Sequence, residues 1–444
     1  MSELKKYTSV FDMIQDHNPD NIALTYDDDR TITSIYYDEL EERILSYPID
    51  KTKDMIGIVC DNTVETIICI LAYLHYKKTI VLLSAKDKIE VLQEQINTVG
   101  VDYIEGPNKI IENLSPAEES FGILDNKIIF FTSTKAVILT EEKLCLSAYN
   151  GSLCLPLKEN DELLCLLPLN HVFGFVCSWL WAWQNGASVI LARGGKELFN
   201  DFNYFRPTVV ALVPQLAGAF LLRNSFNREL RLILVGGGDC PESILKGLYN
   251  KGIHFSYGYG LTETASGVAL SLGKNPRAFT VCPMDDIILD DDDEILIKCD
   301  DLIFEAYYPN NFSYLDSFTD DGYFRTGDLG YFDDEGLLHL KGRKKDLLVL
   351  TDGTKILLNI EEEKLRNQLH IKDIALGLNS NGDITLCVGN TSEKEIPYIR
   401  EEVVKYNEDR IRSNKIVSII TTDSPLPRDI QGKIKRYEIN FNEK

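Results

Sequence analysis

A stretch of thirty residues without a formal charge, Leu163–Ala192, most constrains how this chain can fold. Its length exceeds the roughly 20 apolar residues that a membrane-spanning helix requires. However, Pro168, Gly174 and the Gln-Asn-Gly triplet at 184–186 divide it into a strand, a short apolar helix and a second strand. Strands that are covered on both faces of a sheet read as continuous apolar runs. The stretch therefore predicts a buried βαβ unit and no membrane span.

The same alternation of strands and helices continues on both sides of this unit. Met55–Asp61 and Thr208–Pro214 are further apolar strands with helical segments between them, and this alternation is typical of a layered, mostly parallel sheet. From about Ser266 the pattern changes to that of antiparallel hairpins. We therefore expect an α/β fold. Its large N-terminal domain of layered, mostly parallel sheets with a small β-barrel-like part spans residues 1–344, and a small α+β domain spans residues 345–444.

Charge and cysteine usage restrict the partners and the compartment. The chain has 69 acidic and 46 basic residues, a net charge of −23, which repels nucleic acid backbones and anionic lipid. The ten cysteines are irregularly spaced and contain no CxxC pair, which disfavours a zinc site or a disulfide framework. The N-terminus lacks the pattern of a secretory signal. We expect free thiols and a cytoplasmic protein that binds no nucleic acid.

Several short segments at predicted strand ends or in loops could carry chemistry. Three glycines at 236–238 follow one strand, and the run Tyr-Gly-Leu-Thr-Glu at 259–263 follows the next, at the strand ends where α/β sheets bind ligands. Asp328, Arg343 and Lys433 add a carboxylate and two cations much further along. Taken alone, each segment is better explained by turn chemistry or solvated charge than by a functional role.

Taken together and in order, these segments resemble the motifs of the adenylate-forming superfamily, which contains acyl- and aryl-CoA synthetases, nonribosomal peptide synthetase adenylation domains and luciferases. The motif segments are LCLLPLNHVFGF, LVGGGDCPES, FSYGYGLTETAS, DGYFRTGDLGYFDDEGLLHLKGRKKDLLVLTDGTKI and PLPRDIQGKIKR. The resemblance covers essentially the whole chain and is closest to acyl-CoA synthetase-like enzymes.

The resemblance implies a ligase that activates a carboxylic acid with ATP and Mg²⁺. The product is an acyl-adenylate with release of pyrophosphate, and the acyl group then passes to a thiol, that of CoA or of carrier-protein phosphopantetheine. In the first step a carboxylate attacks the α-phosphorus, so two anions approach each other. That step requires preorganised positive charge.

The resemblance also implies roles for individual residues. Lys433 matches the catalytic lysine, which bridges the attacking carboxylate, the ribose and the α-phosphate. Thr262 would donate to the α-phosphate, and Glu263 would bind the magnesium that accompanies pyrophosphate. Asp328 matches the carboxylate that accepts the ribose hydroxyls, and Arg343 the guanidinium that contacts the same sugar.

Nucleotide contacts from the glycine-containing segments follow from the same resemblance. Tyr259, followed by Gly260, would stack on adenine against the backbone near Gly237 and Gly238. Lys345 matches the hinge at which the C-terminal domain pivots between adenylation and thioester formation.

His171 has two interpretations. A single histidine beside an apolar helix is commonly a satisfied core residue, whereas the resemblance implies a catalytic histidine at the entrance of the acyl pocket. The segment after it, VFGFVCSWLWAW, contains no acidic residue. An amino-acid substrate, as in an amino-acid-activating adenylation domain, would leave its ammonium group unpaired there. The sequence therefore favours an apolar acyl or aryl acid.

The segment that should wrap the ATP phosphates departs from the family. In place of a longer Ser/Thr/Gly-rich loop, the chain has Thr132, Ser133, Thr134 and Lys135, without the glycines that let backbone N–H groups close around phosphate. The hydroxyls and Lys135 could still contact phosphate. An alternative is therefore a degenerate, non-catalytic homologue that binds nucleotide or acyl-adenylate and acts through a partner.

Overall fold

A computed structural model describes residues 4–119, 125–132, 135–299, 301–308, 314–350, 355–408, 410, 414–428 and 434–442. The chain divides into two compact units. The first unit comprises Met1–Ile287, Ile297–Phe324 and Phe332–His339, and the second unit comprises Ile288–Leu296, Arg325–Tyr331 and Leu340–Lys444.

The strands follow the apolar runs of the sequence. In chain order they are β1 (Ile22–Asp28), β2 (Thr31–Tyr36), β3 (Met55–Cys60), β4 (Thr79–Ser84), β5 (Tyr103–Glu105), β6 (Lys127–Phe131), β7 (Ala136–Thr140), β8 (Glu162–Cys165), β9 (Ser188–Leu191), β10 (Val209–Leu212), β11 (Leu232–Val235), β12 (Phe255–Leu261), β13 (Ser266–Leu270), β14 (Thr280–Val281), β15 (Asp286–Leu289), β16 (Glu294–Lys298), β17 (Ala306–Tyr308), β18 (Phe324–Phe332), β19 (Leu338–Arg343), β20 (Leu347–Val349), β21 (Lys355–Leu357), β22 (Ile374–Leu378), β23 (Ile384–Val388) and β24 (Ile416–Thr421).

The helices fill the connections between the strands. They are α1 (Val10–Gln15), α2 (Tyr37–Ser46), α3 (Val64–His75), α4 (Ile89–Val99), α5 (Asn108–Ile111), α6 (Glu141–Cys154), α7 (Val172–Phe175), α8 (Trp181–Gln184), α9 (Asp201–Phe205), α10 (Pro214–Arg223), α11 (Glu242–Asn250), α12 (Leu358–Leu369) and α13 (Ile396–Glu408). A π-helical segment, Val176–Leu180, joins α7 to α8.

Two large sheets form the first unit. A nine-stranded sheet has the order β14-β13-β12-β11-β10-β8-β9-β1-β2, and a six-stranded sheet has the order β17-β7-β6-β4-β3-β5. The inner strands of both sheets pair in parallel, whereas the hairpins at their edges, such as β6–β7 and β12–β13, are antiparallel. The α/β fold with layered, mostly parallel sheets is therefore confirmed for this unit.

The uncharged stretch forms the predicted βαβ unit. Strands β8 and β9 pair in parallel, and the helical segments from α7 to α8 connect them. Trp179 and Trp183 are fully buried, so they belong to the core. At Gly174 a Cβ would overlap the carbonyl oxygen of Pro168, which requires a glycine at this helix position. Within the described residues, no helix is both long enough and apolar enough to cross a bilayer.

The second unit contains the C-terminal α+β elements. Strands β22, β23 and β24 form a three-stranded sheet, and side chains of α12 and α13, including Leu365 and Ile399, share its apolar core. Strands β20 and β21 form a separate hairpin. A further sheet has the order β15-β16-β18-β19, and its segments 288–296, 325–331 and 340–343 belong to this unit.

Candidate active site

The segment FSYGYGLTETAS forms a distorted hairpin in the first unit. Strands β12 and β13 pair antiparallel with Gly260 opposite Gly267, and the register shifts between Tyr259 and Gly260. A Cβ at Gly260 would overlap the carbonyl oxygen of Ser266, so the two strands approach more closely than any side chain permits. Ser266 itself has φ 121°, a conformation that is costly for a residue with a side chain.

The turn of this hairpin carries two of the predicted site residues, Thr262 and Glu263, in a short 3₁₀ segment. Thr264, the last residue of this segment, is fully buried. The backbone N–H of Leu261 donates to the Thr264 hydroxyl oxygen at 3.0 Å, and that oxygen lies 3.0 Å from the carbonyl oxygen of Ser266. Thr264 therefore ties both ends of the turn together and holds Thr262 and Glu263 in position.

The three glycines at 236–238 form the loop after β11, as the sequence predicts. Gly237 has φ +75°, and a Cβ at Gly236 would come within 2.8 Å of the Phe173 ring. The hydroxyl of Tyr257 donates to the carbonyl oxygen of Gly238 at 3.0 Å and accepts the backbone N–H of Cys240 at 3.0 Å. Three motif segments, which contain Phe173, the glycines and Tyr257, therefore meet at one place.

The two described residues of the shortened phosphate segment, Thr132 and Lys135, lie between β6 and β7 and hydrogen-bond to each other. The backbone N–H of Thr132 donates to the carbonyl oxygen of Lys135 at 2.8 Å, and the N–H of Lys135 donates to the Thr132 hydroxyl at 3.1 Å. Ser133 and Thr134 lie outside the described residues. The Lys135 ammonium lies 3.7 Å from the ring centroid of Tyr307, whose hydroxyl donates to Glu263 at 2.9 Å. The structure thus brings Lys135 and Glu263 together through a residue that the motifs did not indicate.

His171 precedes helix α7, and its carbonyl oxygen accepts the backbone N–H of Phe175 at 2.8 Å. The His171 side chain is exposed. Neighbouring protein atoms nevertheless displace part of its hydration, and this desolvation lowers the pKa of the imidazole. The neighbouring carboxylate of Asp87, in the loop after β4, partly opposes that shift. The structure therefore favours a neutral imidazole at this position at pH 7.

Because the pKa of His171 is lowered, its imidazole is expected to titrate below the ordinary histidine value of about 6.5. Removing the Asp87 charge in an Asp87→Asn variant should lower the pKa further, since that carboxylate favours the imidazolium form. The measurement is an NMR titration of the histidine Cε1–H signals, assigned with His171→Gln. A His171 midpoint at or above 6.5, or an upward shift in the Asp87→Asn variant, would contradict the prediction.

Asp328 and Arg343 lie in the second unit and form an ion pair. The Arg343 Nε lies 2.8 Å from an Asp328 carboxylate oxygen, and Asp328 is 6% exposed. The Asp328 N–H donates to the Thr326 hydroxyl, which in turn donates to the carbonyl oxygen of Ile295 at 2.7 Å. The strand pair β16–β18 thus fixes the backbone that presents Asp328.

Lys345 lies in the short 3₁₀ segment that follows β19, and its side chain is exposed. Lys433 lies outside the described residues, but the residues on either side of its segment pair with each other in the second unit. Arg428 forms a β-bridge with Ile434, and the N–H of Lys435 donates to the carbonyl oxygen of Pro427 at 2.9 Å. Asp373 anchors Arg428 by an ion pair of 2.6 Å.

The predicted site residues therefore divide between the two units. His171, the glycine loop, the β12–β13 hairpin and the Thr132–Lys135 turn belong to the first unit, whereas Asp328, Arg343 and Lys345 belong to the second.

Sequence reasoning missed several residues because only tertiary contacts define them. They are Asp87, Phe173, Tyr257, Thr264 and Tyr307. Of these, Thr264 had the clearest available signal, since it directly follows Thr262 and Glu263 in the motif.

Comparisons with known proteins support the family resemblance. The family model described as "AMP-binding enzyme" matches residues 125–295, a range that includes the site residues of the first unit. A 2-succinylbenzoate–CoA ligase from Bacillus cytotoxicus is 24% identical over 95% of this chain and 95% of its own length. The long-chain-fatty-acid–CoA ligase FadD13 from Mycobacterium tuberculosis is 26% identical over 78% of this chain and 74% of its own length.

Solved structures share the whole fold. The o-succinylbenzoate CoA synthetase MenE from Bacillus subtilis, in complex with the acyl-adenylate OSB-AMP, superposes with a TM-score of 0.81 at 21% identity and covers 99% of both chains. The anthranilate CoA ligase AuaEII, in complex with anthranoyl-AMP, gives a TM-score of 0.77 at 16% identity over 98% of this chain and 97% of its own. The predicted resemblance to adenylate-forming enzymes is confirmed, and so is the predicted fold class.

Proposed function

We propose that this protein is an ATP-dependent acid–thiol ligase. It converts a carboxylic acid to its acyl-adenylate with release of pyrophosphate and then transfers the acyl group to a thiol. The observation that carries the proposal is the β12–β13 hairpin, in which the buried Thr264 holds Thr262 and Glu263 beside a strained, glycine-dependent strand approach. Strained backbone conformations of this kind cluster at functional sites, where contacts with the surrounding structure hold them in place. The CoA ligases among the relatives support the same reaction class.

In the adenylation step the chain has to orient two anions and neutralise the charge that develops between them. Thr262 donates its hydroxyl to the α-phosphate, and Lys433 places an ammonium group between that phosphate and the attacking carboxylate. Tyr259, which is 7% exposed, packs against adenine near Gly237 and Gly238. Each group acts by position and charge, so no covalent enzyme intermediate is needed.

Asp328 and Arg343 bind the ribose. Arg343 holds one oxygen of the Asp328 carboxylate at 2.8 Å, and the carboxylate accepts hydrogen bonds from the sugar hydroxyls. Lys345 is the hinge at which the C-terminal residues change orientation between adenylation and thioester formation.

Glu263 is a suitable magnesium ligand. Mg²⁺ is commonly bound through one or two carboxylates together with substrate phosphates, and the Glu263 carboxylate is partly exposed on its turn. Among the described residues no three His, Cys, Asp or Glu side chains cluster as a metal site, so a site completed by phosphate oxygens is the arrangement that fits. When bound, Mg²⁺ neutralises charge on the pyrophosphate leaving group. Glu263 itself orients that charge relative to Thr262.

The acid substrate is an apolar acyl or aryl acid. The helical residues 172–184 after His171 contain no acidic side chain, and Phe173 packs against the glycine loop. A substrate ammonium group would lose its hydration there without gaining a carboxylate partner. The relatives are named for an aromatic and a long-chain aliphatic acid, which agrees with this choice.

The thiol acceptor is CoA or a carrier-protein phosphopantetheine, and we propose CoA because the relatives are CoA ligases. A cytoplasmic location is supported by the ten free cysteines, nine of which are buried, since reducing compartments keep thiols unpaired.

A second candidate function is a non-catalytic homologue that binds nucleotide or acyl-adenylate and acts through a partner. The shortened turn between β6 and β7 favours it, because Thr132 and Lys135 hydrogen-bond to each other across the turn. Backbone amides engaged in this way are not available to surround a triphosphate.

Acid-dependent pyrophosphate release distinguishes the two functions. The protein is incubated with ATP, magnesium and a panel of short, long, aromatic and amino acids, and hydroxylamine traps the adenylate as a hydroxamate. We expect an apolar acid to raise both pyrophosphate and hydroxamate above the acid-free background. Silence across the panel, in protein shown to bind AMP, would support the non-catalytic function, and a preference for an amino acid would overturn the substrate class.

A further inference from the structure

The hydroxyl and the ring of Tyr307 connect a cation in the phosphate turn to the carboxylate proposed for magnesium. We infer that Tyr307 is a positioning residue. Its hydroxyl orients Glu263 towards the magnesium–phosphate group, while its ring face holds Lys135 where the terminal phosphates of ATP bind. Lys135 then supplies the positive charge that a glycine-rich loop would supply through backbone amides. This inference rests on the proposed function and extends it to a residue outside the motifs.

Tyr307 is held in place by its position in strand β17. Tyr307 pairs with Val137 of β7, the strand that begins immediately after the Lys135 turn. The N–H of Phe304, just before β17, donates to the Glu263 carbonyl oxygen at 2.8 Å. Tyr307 is 2% exposed. The short segment from Phe304 to Tyr308 is therefore hydrogen-bonded to both segments that Tyr307 is proposed to align.

The hydrogen bond to Glu263 has a defined direction. The phenol of Tyr307 donates to the Glu263 carboxylate at 2.9 Å, because an ionised carboxylate only accepts hydrogen bonds. Ser317 hydrogen-bonds to the same phenol. A carboxylate held by one such donor keeps its orientation before the metal arrives, which is the preorganisation that charge stabilisation requires.

The position of Lys135 over the ring has an electrostatic cause. Its ammonium lies 3.7 Å from the Tyr307 centroid, within the distance at which the ring face attracts a cation. A lysine side chain is flexible, so a short turn that relies on one lysine for phosphate binding gains from holding it in advance. The ring face attracts the ammonium group through its quadrupole and carries no formal negative charge itself.

The alternative is that Tyr307 only packs, since its ring centroid lies 4.4 Å from that of Phe304. Tyr307→Phe separates the two roles because it keeps the ring, its packing and the cation contact, and removes only the hydroxyl. Tyr308→Phe is the matched control in the same strand, because Tyr308 packs against the core of the six-stranded sheet.

Magnesium-dependent ATP binding, measured by calorimetry on the full chain, tests the inference without turnover. In Tyr307→Phe we expect the magnesium concentration for half-maximal ATP binding to rise about three- to tenfold, since a hydrogen bond to a charged group is lost. AMP binding and the melting temperature should stay near those of the unmodified protein, and Tyr308→Phe should behave as unmodified. An unchanged magnesium dependence in Tyr307→Phe would overturn the hydroxyl's role.

Lys135→Met provides an independent second arm if Tyr307→Phe proves unstable. We expect it to weaken ATP binding several-fold while AMP binding is unchanged, because only ATP carries the terminal phosphates. An equal loss for ATP and AMP would overturn the role of Lys135. If the unmodified protein bound ATP no better with magnesium than without it, the proposed function would fail together with this inference.

Discussion

Replacing Lys433 by alanine is expected to remove acid-dependent pyrophosphate release while leaving ATP binding nearly intact. In the proposed mechanism the lysine acts where two anions approach in the transition state, whereas other groups would hold the bound nucleotide: Tyr259, Asp328 and Arg343. Removing one preorganised donor from a developing negative charge commonly costs about 10²- to 10³-fold in rate. The loss should appear in kcat more than in KM for ATP, since the interaction strengthens in the transition state.

The matched control for this variant is Lys435→Ala. Lys435 lies two residues away and forms an ion pair of 2.9 Å with Glu438. Neither substitution should disturb the flanking residues, because Asp373 forms an ion pair with Arg428 and Arg428 forms a β-bridge with Ile434. Pyrophosphate release and calorimetric ATP binding are compared in both variants. Full activity in Lys433→Ala, or equal losses in both, would overturn the catalytic assignment of Lys433.

The fold was predictable to the extent that burial on both faces of a sheet imposes continuous apolar runs. Leu163–Ala192 predicted a strand, a helix and a strand, and the structure has β8, the helical residues 172–184 and β9. The interruptions at Pro168 and at 184–186 were as informative as the apolar residues, because they excluded one long helix. What the pattern did not indicate is the π-helical segment Val176–Leu180, since local backbone widening depends on tertiary packing.

The candidate site was predictable where a motif is contiguous in sequence. The sequence motifs identified both the glycines at 236–238 and the segment from Tyr259 to Glu263. The glycines follow β11 as expected, whereas Tyr259 to Leu261 form the end of β12 and only Thr262 and Glu263 follow that strand. Tyr307 was not identifiable, because its importance depends on contacts with Lys135 and Glu263, which are 172 and 44 residues away in the chain. No local pattern encodes such distant contacts. The assignments of Asp328, Arg343, Lys345 and Lys433 to particular roles stay predictions.

The hairpin of β12 and β13 contains backbone conformations that the sequence did not predict. The sequence indicates glycines near a strand end, but it does not indicate that Ser266 adopts φ 121° or that Ala265 adopts φ 51°. These conformations follow from the close approach of the two strands at Gly260, which Thr264 stabilises through Leu261 and Ser266. The strain is therefore a property of the assembled turn rather than of any one residue.

Gly260→Ala is expected to abolish activity by opening this turn. The added methyl group would overlap the carbonyl oxygen of Ser266, a backbone atom in a residue whose conformation is already unfavourable. The strands must separate, and the Thr264 hydroxyl then loses its bonds to Leu261 or Ser266. Displacing a catalytic group by about 1 Å can cost about a hundredfold in rate. Overpacking at such a site typically costs about 1–3 kcal/mol in the free energy of unfolding.

Gly267→Ala provides the internal control, since Gly267 is the cross-strand partner of Gly260 in the same hairpin. The nearest atom to a Cβ there is the Tyr259 carbonyl oxygen at 4.0 Å, which is ordinary van der Waals contact. Urea unfolding and acid-dependent pyrophosphate release should therefore separate the two variants, with Gly267→Ala close to the unmodified protein. If Gly260→Ala matched Gly267→Ala in stability and rate, the close approach would have no functional role. If Gly260→Ala were stable but inactive, the loss of activity would be attributed to displacement of Thr262 and Glu263.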